Sequence, residues 1–228
     1  KLRKFSASGN INLFKEKQEI SSEKLNYKTL DNNNILIEIF DQAIIKDSLN
    51  IIKGDTILIH YEDSLINDIA VKKHAEITRN RFAKIDSTSK KQIFTDNIKS
   101  KSMMLYFTKG EISTINLEGM ALTEFNVIED TIITGLNIVS SDTMNIEIKN
   151  NLIESMFIKG GAKGKFVPEN NNTNIDTEIE YAADIINYLV KEEKSYLVNN
   201  ANINYDLTIL NAGEIFVDWD KNYLKAIK

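Results

Sequence analysis

The chain has 228 residues, enough for one large all-β domain or two small ones with a sizeable core. Its 28 basic and 33 acidic residues give a net charge of -5 and form no dense basic block, which argues against nucleic acid as a partner. With no cysteine, a disulfide framework, a thiolate zinc site and a thiol nucleophile are all excluded. Apolar runs such as Ile35-Leu36-Ile37 are soon broken by Glu38 and Asp41, far short of the roughly 20 residues a membrane helix needs, so this portion reads as soluble. The chain begins at a lysine and lacks a signal-peptide core, which reads as a mature protein or a fragment.

Taken in chain order, the predicted elements are strands punctuated by a four-residue lead-in: a small residue, an acidic one, any residue, then an aliphatic. Ser22-Glu23-Lys24-Leu25 is the first. Gly54-Asp55-Thr56-Ile57 is the second, and aliphatic or aromatic residues then alternate through Ile59 and Tyr61 to a turn signal at Glu62-Asp63-Ser64. Ser100-Lys101-Ser102-Met103 loses the acid but keeps the frame, leading through Leu105 and Phe107 to Thr108-Lys109-Gly110. Ser141-Asp142-Thr143-Met144 leads through Ile146 and Ile148 to Lys149-Asn150-Asn151. Residues 54–77, 100–123 and 141–164 align without a gap, so that Ile66, Ile112 and Ile153 coincide after the turns and Ala75, Ala121 and Ala162 coincide further on. One antiparallel hairpin is reused, with turns predicted at Asp63, Lys109 and Asn150. Ala183-Asp184-Ile185-Ile186 repeats the four-residue pattern, whereas Ala212-Gly213-Glu214-Ile215 reads as shifted by one place. The uneven spacing of these tetrapeptides, which begin at 22, 54, 100, 141, 183 and 212, tells against uniform propeller blades, although a propeller-like or β-solenoid arrangement stays open as the alternative.

Alternation also predicts which face each side chain takes. Phe107 shares a column with Tyr61 and Ile148 and should point inward, while Tyr106 shares one with His60 and Glu147 and should point out. Glu178 to Glu193 could be a helix or a strand, and its Ile185-Ile186 and Leu189-Val190 pairs favour the strand. Asn170 to Asn174 reads as a linker.

Several stretches invite a chemical reading and do not sustain it. Lys159-Gly160-Gly161-Ala162-Lys163-Gly164-Lys165-Phe166 resembles a phosphate loop, but the pattern requires glycine at 159 and Ser or Thr at 166. Its glycines fit a backbone that turns or bulges. His60 falls on an outer strand face and His74 in a turn, with no metal-ligand spacing between them. The carboxylate pairs Glu62-Asp63 and Glu192-Glu193 read as solvated turns, and Trp219 is in phase with Ile215 and Val217 and so faces inward. No metal, cofactor or catalytic constellation is indicated, and the protein reads as no enzyme.

The lead-in and hairpin in residues 141–169 and 54–77 resemble the organic-solvent-tolerance (OstA-like) repeats of the lipopolysaccharide transport proteins, the LptA, LptC and LptD group. The last fifty residues are similar to the start of the periplasmic domain of LptD-type assembly proteins, with Asn199-Asn200-Ala201 in place of a glycine turn. The resemblance implies an elongated β-jelly-roll folded like a taco, residues 1–169 forming one OstA-like repeat domain and 170–228 a second segment continuous with it. It further implies a periplasmic protein, attached or not to the outer membrane, whose apolar groove takes the acyl chains of lipopolysaccharide. The residues expected to line that groove are Ile57, Ile59, Tyr61, Leu105, Phe107, Ile146, Ile148, Tyr188 and Trp219. Its implied partners are other Lpt-type jelly-rolls, which would pair through exposed terminal strands near Ile11 and Ile215, and an outer-membrane barrel in the same chain. A structural or adhesive β-repeat protein without lipid binding is the alternative.

Overall fold

A computed structural model describes residues 3–15, 18–30, 33–169, 176–221 and 223–228. The linker expected at Asn170 to Asn174 lies outside the described residues. Nine strands make up the first part: β1 (Lys4–Lys15), β2 (Gln18–Thr29), β3 (Asn34–Lys46), β4 (Asn50–Glu62), β5 (Leu65–Ala83), β6 (Gln92–Thr108), β7 (Glu111–Glu129), β8 (Ile132–Lys149) and β9 (Leu152–Pro168). After them come β10 (Ile179–Leu189), one 3-10 turn at Val190–Glu192, β11 (Lys194–Tyr205), β12 (Thr208–Asp218) and β13 (Tyr223–Ile227). Among the described residues all thirteen strands lie in a single sheet in chain order, each antiparallel to the next, so the all-β class holds and the propeller and solenoid alternatives do not. The 178–193 stretch is a strand for most of its length, and β9 pairs directly with β10.

The three aligned hairpins turn where the repeat puts them. Asp63 and Ser64, Lys109 and Gly110, and Asn150 and Asn151 all have positive φ, the geometry of a two-residue turn whose twist matches its strands. Equivalent residues also pair: Ile59 with Ile69, Leu105 with Ile115, and Ile146 with Met156.

The recurring tetrapeptide is a corner. On β2, β4, β6, β8, β10 and β12 its small residue pairs with a residue flanking a two-residue bulge on a neighbouring strand: Gly54 with Ala43, Ser100 with Ala75, Ser141 with Ala121, Ala183 with Ala162. The bulge residues are left-handed in Asp41-Gln42, Lys73-His74, Gly119-Met120, Gly160-Gly161 and Asn199-Asn200, and they face the corner residues opposite them. Thus Gly160-Gly161 is one copy of a repeated corner, and Asn199-Asn200 serves as another, since Asn tolerates that backbone better than most residues. The corner serine closes the bend locally, its hydroxyl donating to the carbonyl two residues on at Ser22, Ser100 and Ser141. The acidic residues of the motif engage the strand beside them: Asp55 contacts His74 Nδ1 at 3.0 Å and Asp184 accepts from Asn200 at 3.0 Å. His74 therefore belongs to a strand corner and not to a hairpin end. The register also corrects the expected slip at Ala212-Gly213-Glu214-Ile215: Ala212 pairs with Ala201 and Gly213 occupies the acid's place opposite Asn199-Asn200, so no residue is inserted.

Because the strands bend at these corners, the sheet folds into two facing halves. Arg79 on β5 donates to Asn151 in the β8–β9 turn, although three strand spacings, about 14 Å on a flat sheet, separate β5 from β8. Phe125 of β7 meets Tyr188 of β10 at 6.4 Å between ring centroids. One apolar cluster fills the space between the halves and runs from Ile20 to Val217. The sheet stays open, with β1 and β13 as its two edges. Ile215 is consequently not on an edge, because β13 pairs along residues 214–218 and Ile215 faces Ala226. The single exception to antiparallel pairing among the described residues is a bridge from Lys84 to Ile132.

Gly164 lies under the ring of its pairing partner Tyr181, whose hydroxyl donates to Asn137 at 2.6 Å. A Cβ at 164 would overlap that ring, so Gly164→Ala should displace Tyr181, break the bond to Asn137 and cost about 1–3 kcal/mol. The drop in urea midpoint measures it; an unchanged midpoint would mean that the ring moves aside freely.

Candidate functional site

The interior is organised in rows that cross the strands. From Leu25 the innermost row passes through Ile39, Ile57, Val71, Met103, Leu117, Met144, Ile158, Ile186 and Leu197 to Ile215, each residue paired with the next. A parallel row one step from the corner holds Ile59, Leu105, Ile146 and Tyr188. A third, nearer the hairpin turns, pairs Tyr61 with Ile66, Phe107 with Ile112 and Ile148 with Ile153. At about 4.8 Å per strand the innermost row extends for roughly 50 Å, perpendicular to the strand direction.

Eight of the nine residues expected to line the groove lie in these three rows. Ile57, Ile59, Tyr61, Leu105, Ile146 and Ile148 are buried in the common cluster, while Phe107 and Tyr188 are half-buried against it. Trp219 also packs on the cluster just beyond β12, its indole N–H donating to Ser195 at 2.9 Å. Tyr106 is 42% exposed, so the inward and outward columns are as the alternation predicts. His60 lies on the outer side and contacts Asp68 at 3.1 Å. Among the described residues no group of three or more His, Asp or Glu is placed to hold a metal, and no helix is long and apolar enough to cross a membrane.

Where the two halves approach at their free ends, a cavity of about 400 Å³ remains. One wall is Phe125 to Asp130 with Arg81; the other is Lys149, Asn150, Leu152 to Glu154 and the turn at Val190, Lys191 and Glu193. Burial and the nearby Glu193 carboxylate raise the Glu129 carboxyl above its usual range, against a hydrogen bond from Thr134. Burial likewise raises the Tyr188 phenol, with Glu129 and Glu193 adding to it.

Beside this cavity the interior holds charge. Arg81 and Asp96 pair on neighbouring strands, Arg81 Nε lying 2.6 Å from Asp96 Oδ2 and Nη2 donating to Oδ1 at 2.8 Å. Asp96 also accepts from the backbone and side-chain amides of Asn126. Arg79 is 1% exposed, and burial pushes its guanidinium down to about 10, Asp96 opposing the shift and Arg81 adding to it. Its Nη2 donates to the Asn151 side chain at 2.7 Å and to the Asn151 carbonyl at 3.2 Å. A signal for both arginines was available, since they continue the inward phase of Ala75 and Ile77 at every second residue.

No family model matches the chain, and no curated protein matches it. Among solved structures it is similar to LptH from Pseudomonas aeruginosa, described as the LptA homologous periplasmic component of the conserved lipopolysaccharide transport device. The identity is 13%, the match covers 57% of this chain and 80% of that one, and the TM-score is 0.43.

Proposed function

We propose that the chain is a non-enzymatic periplasmic module that holds the acyl chains of lipopolysaccharide between the halves of its folded sheet and passes them towards the outer membrane. The observation that carries this reading is the unbroken apolar row from Leu25 to Ile215, which reaches almost from one open edge of the sheet to the other. An apolar track of that length, left unclosed at both ends, suits an extended hydrocarbon ligand and continuation into a further jelly-roll through β1 or β13. On the strength of the resemblance, residues 1–169 and 170–228 are two OstA-like segments of one jelly-roll, the second of LptD type, and the outer-membrane barrel that the resemblance implies lies in the same chain. The nine groove residues named above are the proposed acyl contacts.

A purely structural β-repeat module is the second reading, favoured by the burial of six of those nine side chains in a packed core. For acyl chains to enter, the halves must part. Protein purified from cells that make lipopolysaccharide, extracted with organic solvent and analysed by mass spectrometry, should yield stoichiometric lipopolysaccharide. A clean extract would favour the structural module.

A further inference from the structure

At the tip of the β5–β6 hairpin, large apolar side chains stand in solvent beside positive charge. Phe82 and Ile93 pair directly opposite each other and are 57% and 62% exposed, and Ile85, in the loop that joins the strands, is 39% exposed. Single exposed apolar residues are ordinary; adjoining ones at a hairpin end are an aggregation liability unless something covers them. Arg81 and Ala83, on either side of Phe82, are buried, so the interior takes its side of this hairpin and leaves Phe82 on the outer face. No neighbouring strand shelters it. β4 pairs with β5 only as far as Arg79 and β7 pairs with β6 only as far as Asn97, so Phe82 and Ile93 lie past both.

The loop is held in one shape. Asp86 accepts from the backbone amides of Thr88 and Ser89 and from the Thr88 hydroxyl, Ser89 Oγ accepts from the amides of Ile85 and Asp86, and the Lys84 backbone bonds to Thr131 and Ile133 beside the β7–β8 turn. From residue 82 to 95 three lysines, Lys84, Lys90 and Lys91, stand against the one carboxylate Asp86. Among the described residues none of the three makes an ion pair. The carboxylates of the adjoining turn, Glu129 and Asp130, line the cavity between the two halves of the sheet, away from the outer face that carries Phe82.

We propose that this tip docks on a bilayer containing anionic lipid, with Phe82, Ile85 and Ile93 entering the headgroup region and the three lysines meeting lipid phosphates. Apolar area immersed at the interface and lysines drawn to anionic headgroups together hold a protein on a membrane that it does not span. Lysine suits the position, because its methylenes cover apolar neighbours while the ammonium stays at headgroup depth. Charge selects this occupant: the chain as a whole, at -5, is repelled by an anionic surface, whereas the tip is locally positive and is attracted once it is nearest. Arg81, next to Phe82, lines the cavity, so a docked tip brings the cavity to the lipid surface. The inference does not rest on the acyl-chain reading.

Flotation of the full chain with vesicles of phosphatidylglycerol and phosphatidylethanolamine, and with vesicles of phosphatidylcholine alone, tests it. The chain should float with the anionic vesicles and much less with the neutral ones. Phe82→Ser combined with Ile93→Ser should weaken anionic binding by roughly 10-fold or more. Lys90→Gln combined with Lys91→Gln should weaken it roughly 25-fold, about 5-fold for each lysine. Failure of the wild type to float, or equal flotation of the wild type and the Phe82 and Ile93 variant, overturns the proposal. Self-association that those two serines abolish, without flotation, assigns the tip to a second copy and overturns it too. If the serine variant does not fold, a single environment-sensitive label decides, since the chain has no cysteine of its own. Placed at Phe82→Cys it should shift to the blue on anionic vesicles, and placed at Met120→Cys, on an exposed corner, it should not; no shift at 82, or equal shifts at both, overturns the docking tip.

Discussion

Replacing Asp96 with alanine should lower the melting temperature by roughly 6–20 °C, from a loss of about 3–5 kcal/mol for breaking a buried ion pair in a chain of this size. Asp96 is fully buried and is the acceptor for Arg81 and for both amides of Asn126. Its removal strands the Arg81 guanidinium and the Asn126 backbone N–H in a low-dielectric interior, and takes away the carboxylate that opposes the burial of Arg79. The double replacement Arg81→Met with Asp96→Leu removes both charges together and should recover most of the loss. Thermal melts of the two variants decide the point: a mild single variant, or a double variant as damaged as the single one, would mean that the pair is hydrated and not a fixed part of the core.

The second large effect concerns the apolar rows between the two halves of the sheet. Phe107 is half-buried against the core and pairs with Ile112, whereas Tyr106, one residue away, lies on the outer surface. On the acyl-chain proposal each CH₂ taken out of water contributes roughly 0.8 kcal/mol, so a few methylenes along Phe107, Leu105 and Ile146 outweigh one polar head-group contact. Phe107→Asp places an unpartnered carboxylate against that hydrocarbon, at a cost of several kcal/mol if it stays ionised, and lipid retention should collapse. Tyr106→Asp should retain lipid. Photo-crosslinkers placed at each position, in cells exporting lipopolysaccharide, give the direct readout. Labelling from 107 alone is expected, and labelling from 106 alone or from neither site would refute the assignment.

The sequence by itself determined the features that rest on local geometry. Strand content and the inward or outward sense of Phe107 and Tyr106 follow from a period of two along the chain. The coincident turns at 63, 109 and 150 follow because a hairpin's register is set within its own loop. The place of each corner was legible as a recurring tetrapeptide, but its meaning was not: Ser141-Asp142 reads as punctuation until Ser141 is seen paired with Ala121 and Asp142 opposite Gly119-Met120. Gly213 reads as an insertion for the same reason, since its proper place is fixed by Asn199-Asn200 on another strand. Only the tertiary structure decided that Ile215 is covered by β13, that most of the nominated groove residues are closed over, and that Arg79 crosses from one half of the sheet to Asn151 in the other. Each of these depends on which distant segments meet once the sheet bends, and a one-dimensional pattern of apolar and polar residues records the face a side chain takes but not what that face packs against.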